Sequence, residues 1–483
     1  MITFSGSIIL LVAGYFIYGK IVDRIFGSNA SRITPAYTKQ DGMDYVPMKG
    51  WRIFTIQFLN IAGLGPIFGA IMGAKFGTAS FLWIVFGSIF AGAVHDYISG
   101  MVSLRKDGIS LPEIHGLYLG NGVKQFMRGF MVLLMILVGV VFVVGPANLL
   151  VKLTPDSLNV VFWICVIIVY YILATLLPID KIIGKIYPIF GFCLLFMAAG
   201  IMAALFWKHP ALPEVWEGLQ NRHPNGDPIF PMMFVSIACG AISGFHATQS
   251  PMMARCMTNE KQGRPIFFGA MIAEGIVALI WAAAASYFFF DTEVGHTFFQ
   301  SGTDAAQVVD AITRSWLGKF GAVLALLGVI FAPITSGDTA FRSARLIVAD
   351  FLHYDQKPLI KRLIIAIPLF LAAFGILMYS IFDKNGFAII WYYFAWANQT
   401  LAVFTLWAIT IYLYLKKKNY LITLIPALFM SMVCSTFIVM DLCAKMHLTA
   451  PYRLAYIAGG AVTVGVFLLF LFWKRRKNRE IMM

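Results

Sequence analysis

Thirteen times along its 483 residues this chain produces an apolar run of about 18 residues or more, and that repetition decides its environment. At 1.5 Å per helical residue, a run of that length crosses the ~30 Å hydrocarbon core of a bilayer. The runs lie at roughly 3–22, 52–73, 79–102, 128–151, 158–177, 184–207, 229–250, 265–290, 319–341, 363–382, 387–413, 420–442 and 452–473. Hydrophobic residues make up 60% of the chain and charged residues only 12%, too few to cover a soluble globule. The expected fold is an all-α polytopic membrane protein. The first run has neither a basic start nor a small-residue cleavage site, so it reads as a span and not as a signal peptide.

The formal charge of +14 follows the loops. If successive runs alternate in direction, 28 of the 37 Lys and Arg fall on one side, including Lys416 to Lys418 and the tail from Lys474 to Arg479. The positive-inside bias then sets the N-terminus outside and the C-terminus in the cytoplasm. Nucleic-acid binding does not suit these charges, which sit in short loops beside spans. The six cysteines, at 165, 193, 239, 256, 434 and 443, lie within spans or at their inner ends and read as packing residues. No structural metal is expected, and no cofactor beyond a coupling cation. The loop from Ser31 to Trp51 reads as solvated and carries Asp41 and Asp44.

Two runs break their own helical pattern at membrane depth. In 52–73 the sequence IAGLGPIFGAIMG places Gly63, Leu64, Gly65 and Pro66 near the middle, behind Gln57 and Asn60. In Phe234–Met257, Gly240, Ser243 and Gly244 weaken the helix before Phe245, His246, Thr248, Gln249, Ser250 and Pro251. Gly costs about 1 kcal/mol and Pro about 3 kcal/mol in a helix interior. In lipid, the freed backbone groups must be met by protein or by a wet cavity. Both breaks are therefore candidate binding sites, at Gly63, Leu64 and Gly65 and at Gly240, Ser243, Gly244, Phe245, His246 and Gln249. Packing is the plain alternative, since Gly lets membrane helices approach closely.

Ionisable residues inside spans are rare and mark relays or ion sites. Here they are His95 and Asp96 in the third run, His246 in the seventh and Glu274 in the eighth. Thr335, Ser336 and Asp338, after Pro333, offer hard oxygens for a small cation; the plain alternative is a bridge from Asp338 to Arg342 one turn on. These six side chains, with His246, are the candidates for coupling a proton or Na+. Asn398 and Gln399 read as a bridge between helices. Between the spans, the stretch from Asp291 through Glu293, Asp304 and Asp310 has an amphipathic helix from Ala305 to Trp316 that suits a membrane surface.

The two broken runs are five spans apart, so they cross in opposite directions. Spans two to six and seven to eleven then form two five-helix halves of inverted topology, the pattern of transporters whose site lies between repeats. This sets expected boundaries: an extra helix and loop over 1–50, repeats over 51–207 and 208–418, and two additional helices with a basic tail over 419–483. The segments DGMDYVP, IAGLGPIFGAIMGA, GSIFAGAVHDY, SGFHATQSPMMARC and APITSGDTAFRSAR, spread from residue 41 to 345, resemble those of the carbon starvation protein A (CstA) family. The resemblance implies a bacterial inner-membrane transporter with a LeuT-like 5+5 core, importing peptides or small carboxylates such as pyruvate, by H+ or Na+ symport. In the LeuT-type fold the corresponding eighth core helix faces the first broken helix and helps bind Na+, which is the role implied for Thr335, Ser336 and Asp338. Longer members of the family carry paired His where this chain has Thr55-Ile56-Gln57-Phe58, so any role of those His does not transfer.

The expected partners are a small-molecule substrate and the lipid bilayer, with no nucleic acid. The alternative function is a channel or uniporter, which would present a continuous polar stripe and not clusters at breaks. No HExxH spacing suggests an intramembrane metalloenzyme, so no enzyme activity is expected, and no GxxxxGK[ST] loop supplies ATP-driven transport.

Overall fold

A computed structural model describes the chain apart from Met43 and residues 177–178, 301–304, 355–357, 384–385, 448–450 and 483. Side chains are also left undescribed at 176, 179–189, 320, 451 and 480–482. Asp304 lies outside the described residues, as do Lys357 and the side chains of Lys181, Lys185 and Pro188.

The chain opens with α1 (Ile2–Phe26), closed by Gly27 in the left-handed conformation (φ +73°). The second apolar run becomes two helices, α2 (Gly50–Ile61) and α3 (Gly65–Ala74), bent at 53° across three residues. Next come α4 (Ala79–Arg105), the short α5 (Leu111–Leu119), α6 (Asn121–Val151), α7 (Val160–Leu176) and α8 (Ile179–Lys208). The seventh run is in pieces, chief among them α9 (Ala238–Ala241) and α10 (Gly244–Ala254). Beyond it lie α11 (Glu260–Asp291), α12 (Ala305–Leu352), α13 (Leu359–Phe382), α14 (Gly386–Leu415), α15 (Leu421–Lys445) and α16 (Pro451–Met482).

Among the described residues ten helices are long and apolar enough to cross a membrane, or eleven with the bent α2–α3 pair. The sequence has thirteen apolar runs. The remaining two are α7, apolar but shorter, and the fragmented seventh run, where the backbone leaves the helix altogether.

Burial sorts the bundle into a core and a periphery. α4 and α11 are 83% buried over their most apolar windows, whereas α1 is 28% and α16 only 17% buried. Helices enclosed on all sides hold the polar residues singled out above; α1 and α16 show apolar faces outward, as lipid contact requires. The Ala305–Leu317 segment is turned away from the rest of α12 at Gly318, whose φ of +65° and ψ of −174° no helix contains. The loop after α8 has a fastening role that the sequence left unassigned. Glu214 accepts hydrogen bonds from the backbone N–H groups of Ile2 (2.9 Å) and Thr3 (2.7 Å), and so caps the start of α1.

The two broken runs pack on each other. Gly65, Gly69 and Gly73 fall four residues apart along α3, one small-residue stripe on a single face. A Cβ at Gly65 would lie 2.2 Å from Cys239 Cβ, one at Gly69 2.8 Å from the Ser236 carbonyl oxygen, and one at Gly73 2.2 Å from Ile237 Cγ1. The stripe thus admits the seventh run at backbone distance. Gly69→Val should force that contact apart, at about 1–3 kcal/mol for overpacking. The expected result is a lower melting temperature in detergent; an unchanged one would show that the two segments are not held this closely.

Candidate functional site

Each break is sealed by side chains from an intact helix. At the second, Ile242 (φ −159°, ψ 138°) and Ser243 (φ −143°, ψ 124°) run extended between α9 and α10. The opening N–H groups of α10 have no intrahelical acceptor. Asn398 of α14 supplies one. Its Oδ1 accepts from Phe245 N (2.7 Å) and Ser243 Oγ (3.1 Å), while its Nδ2 donates to Cys239 Sγ (3.3 Å). Gly244 makes this approach possible, because a Cβ there would sit 2.5 Å from both Ala402 N and the Asn398 carbonyl oxygen. On the other side of the break, Ser88 Oγ donates to the Gly240 carbonyl oxygen (3.0 Å).

At the first break, Ala62 leaves the helix (ψ 49°) and Gly63 N donates to Ile61 O at 2.8 Å. The Leu59 carbonyl, which a continuous helix would pair with Gly63 N, turns to α12 instead. Thr335 Oγ1 (3.3 Å) and Ser336 Oγ (3.1 Å) both reach it, and both also reach Ala332 O at 2.6 and 3.2 Å. Two carbonyls and two hydroxyls thereby face one another where α2 ends.

Beside the second break lies a run of paired ionisable groups. His95 Nδ1 is 2.7 Å from Asp96 Oδ1, Asp96 Oδ2 is 2.8 Å from His246 Nδ1, and His246 Nε2 is 3.3 Å from Glu274 Oε2. All four side chains are completely buried. They come from α4, α10 and α11, so the run ties together helices from both halves of the chain. Buried charges persist only when paired and hydrogen-bonded, and here one imidazole stands between two carboxylates. The arrangement can hold a proton at His246, which is hydrogen-bonded to Asp96 on one side and stands 3.3 Å from Glu274 on the other. The His246–Glu274 approach is an ion-pair distance without hydrogen-bond geometry: His246 Nε2 and both Glu274 carboxylate oxygens, like His95 Nε2, make no hydrogen bond to protein. Among the described residues no three His, Cys, Asp or Glu side chains are arranged to hold a metal ion.

A cavity of about 870 Å³ opens at one end of the bundle, walled by Lys39, Tyr45, Asp107, Glu113, Arg128 and Asp350. Ser110 and Arg255 belong both to it and to a smaller cavity of about 20 Å³ between Thr248 and Ser343, one turn of α10 from the His246 region. The two cavities share these residues, and the smaller one, lined mostly by apolar side chains, lies beside α10.

The structure gathers His95, Asp96, His246 and Glu274 into one cluster and sets Thr335 and Ser336 at the first break, with Gly63 against Ser336 and Phe142. Leu64 is buried against Gly145, Gly65 packs on Cys239, and Gly240 on Ala278. Gln249 Nε2 donates to Thr248 Oγ1 (2.9 Å) and Ser343 Oγ (3.4 Å). Asp338 parts company with Thr335 and Ser336: its Oδ2 accepts from Tyr170 Oη of α7 at 2.7 Å. Tyr170 lies in an otherwise apolar run, where no sequence signal marks it. Gln399 donates to the Phe234 carbonyl oxygen (3.2 Å).

Apolar helices packed around two central breaks and a buried, mutually paired set of ionisable groups define a polytopic membrane protein with an internal polar site. The chain belongs to the carbon starvation protein CstA family, which it matches over residues 1–162, 151–315 and 291–437. It is 28% identical over 493 residues to the peptide transporter CstA of Bacillus subtilis strain 168, covering 82% of each chain. To the pyruvate/proton symporter BtsT of Escherichia coli strain K12 it is 26% identical over 348 residues, 58% of this chain and 48% of that one. These relatives are transporters, not enzymes. The fold is shared with a crystal structure of a mutant manganese transporter from Eremococcus coleocola, with a TM-score of 0.55 and 12% identity, over 91% of this chain and 99% of the other.

Removing the seal at the second break should be costly. Asn398→Leu leaves the Phe245 N–H without its acceptor, at about 1–3 kcal/mol. A fall in melting temperature is the expected outcome; no fall would mean that another acceptor serves Phe245.

Proposed function

We propose that this protein is a secondary-active transporter that imports a peptide or a small carboxylate across the bacterial inner membrane together with protons. The observation that carries the reading is the buried run His95–Asp96–His246–Glu274 beside the second break. Ionisable groups at membrane depth mark proton relays, and His is the side chain that titrates nearest neutral pH. Asn398 already caps the Phe245 N–H, so a substrate carboxylate would be drawn by the partial positive charge at the opening of α10 and not by that N–H itself. The relatives named as a peptide transporter and a pyruvate/proton symporter support the same class of cargo and the same ion.

In this reading all thirteen apolar runs cross the bilayer, with the N-terminus outside and the C-terminus in the cytoplasm. Residues 51–207 and 208–418 form the two inverted five-helix halves of a LeuT-like core. The contact of one broken run with the other supports a site between the halves. The 870 Å³ cavity would then be the cytoplasmic exit.

One observation favours Na+ as the coupling ion instead. The four oxygens of Leu59, Ala332, Thr335 and Ser336 converge at the first break and suit a hard cation.

The test is uptake of labelled pyruvate and of a labelled dipeptide into proteoliposomes under a pH gradient and, separately, a Na+ gradient. Accumulation driven by the pH gradient, abolished in His246→Ala while the variant remains folded, is the expected result. Accumulation driven only by Na+ would transfer the coupling role to Thr335 and Ser336. Equilibration without accumulation would make the protein a channel or uniporter.

A further inference from the structure

The side chains of Gln57 and Asn60 are completely buried, and none of their four polar atoms pairs with any protein group. They stand one turn apart on α2, immediately before the first break, so they share a face. The other faces of α2 are accounted for. Thr55 and Leu59 lie against Gly191 of α8, Phe54 points to Gly269 of α11, and Gly63 meets Phe142 and Ser336. At 100° per residue the contacts of Phe54, Thr55 and Leu59 leave Gln57 and Asn60 on a side of their own, and α10 is one of the helices that pack on α2, with α8, α11 and α12. On α10, Gln249 uses its nitrogen within the protein but leaves Oε1 unpaired and buried.

Buried amides are almost always satisfied, and two adjacent ones with every atom free call for a polar occupant. The balance of donors and acceptors says what kind. Gln57 Nε2 and Asn60 Nδ2 are donors; Gln57 Oε1, Asn60 Oδ1 and Gln249 Oε1 are acceptors. An oxo acid has only acceptors, so it would satisfy the two nitrogens and leave three oxygens unpaired. An ammonium group offers three donors and a carboxylate only acceptors. A solute bearing both satisfies the whole set.

We infer that Gln57, Asn60 and Gln249 form a neutral amide cradle for a zwitterionic solute, an amino acid or short peptide, in preference to an oxo acid. The inference rests on the transporter reading for its purpose, since a cradle at a break is where cargo would sit. Because the amides carry no charge, they read the solute by hydrogen-bond pattern, and the ionisable run beside them remains free for the proton.

Equilibrium binding tests this without any gradient. The purified full-length chain would be assayed in detergent with labelled L-alanine and labelled dialanine, with pyruvate as competitor. At least one zwitterion should bind saturably, and pyruvate should displace it at least tenfold less well. Gln57→Met and Asn60→Leu should each weaken that binding at least tenfold. Both variants should also melt at the parent's temperature or above it in the absence of solute, because each removes unpaired buried polar atoms. Equal affinity for pyruvate, undiminished binding in the variants, or a lower melting temperature in either would overturn the cradle. Proton-driven accumulation of pyruvate with no binding of a zwitterion would do so too, while leaving the transporter reading intact. Zwitterion binding without accumulation in vesicles would uphold the cradle and remove the transporter instead.

Discussion

Inside hydrocarbon a backbone N–H or C=O has no water to fall back on, and this one constraint explains the placement of most polar side chains in the molecule. Two helices are interrupted, and each interruption frees groups that a neighbour must meet. Leu59 O is met by hydroxyls of α12, and Phe245 N by an amide of α14. The intact helices are thereby tied to the broken ones by directional bonds. In lipid, where apolar contact alone gives little preference, such bonds and close backbone packing decide which helices associate.

The paired ionisable groups obey the same logic at higher stakes. Asp96, His246 and Glu274 come from three helices, and none could stay charged in that interior alone. Removing one partner strands another, so the cluster is rigid in composition yet free in the position of its proton. In the proposed symport that combination would serve a relay, because the field of the cluster changes with its proton while the helices stay tied by the remaining contacts. A cargo cradle beside such a relay would feel the change directly.

Much of this was legible in the sequence, for identifiable reasons. Span length is set by bilayer thickness, so apolar runs announce themselves. The breaks show because Gly, Ser and Pro interrupt those runs. Isolated ionisable residues stand out against an apolar background, which is how His95, Asp96, His246 and Glu274 were found. Their pairing was not legible, because Asp96 and His246 are 150 residues apart and meet only through the packing of α4 on α10. Helical phase separated others: Asp338 is two residues beyond Ser336, about 200° round the helix, and so faces Tyr170 and not the first break. The spacing of Gly65, Gly69 and Gly73 was visible, but a break and a packing stripe use the same residue, and only the contact with the seventh run tells them apart.

In the proposed symport, substrate binding and protonation of the buried run are linked, and the most direct measurement of that linkage counts protons. Calorimetric titration of the purified chain with its substrate, repeated in buffers of different ionisation enthalpy, reports how many protons are taken up on binding. Heats of binding should change with the buffer in the parent chain, and that dependence should disappear when Glu274 is replaced by Gln. Identical heats in every buffer, from a chain that still binds its substrate, would contradict it.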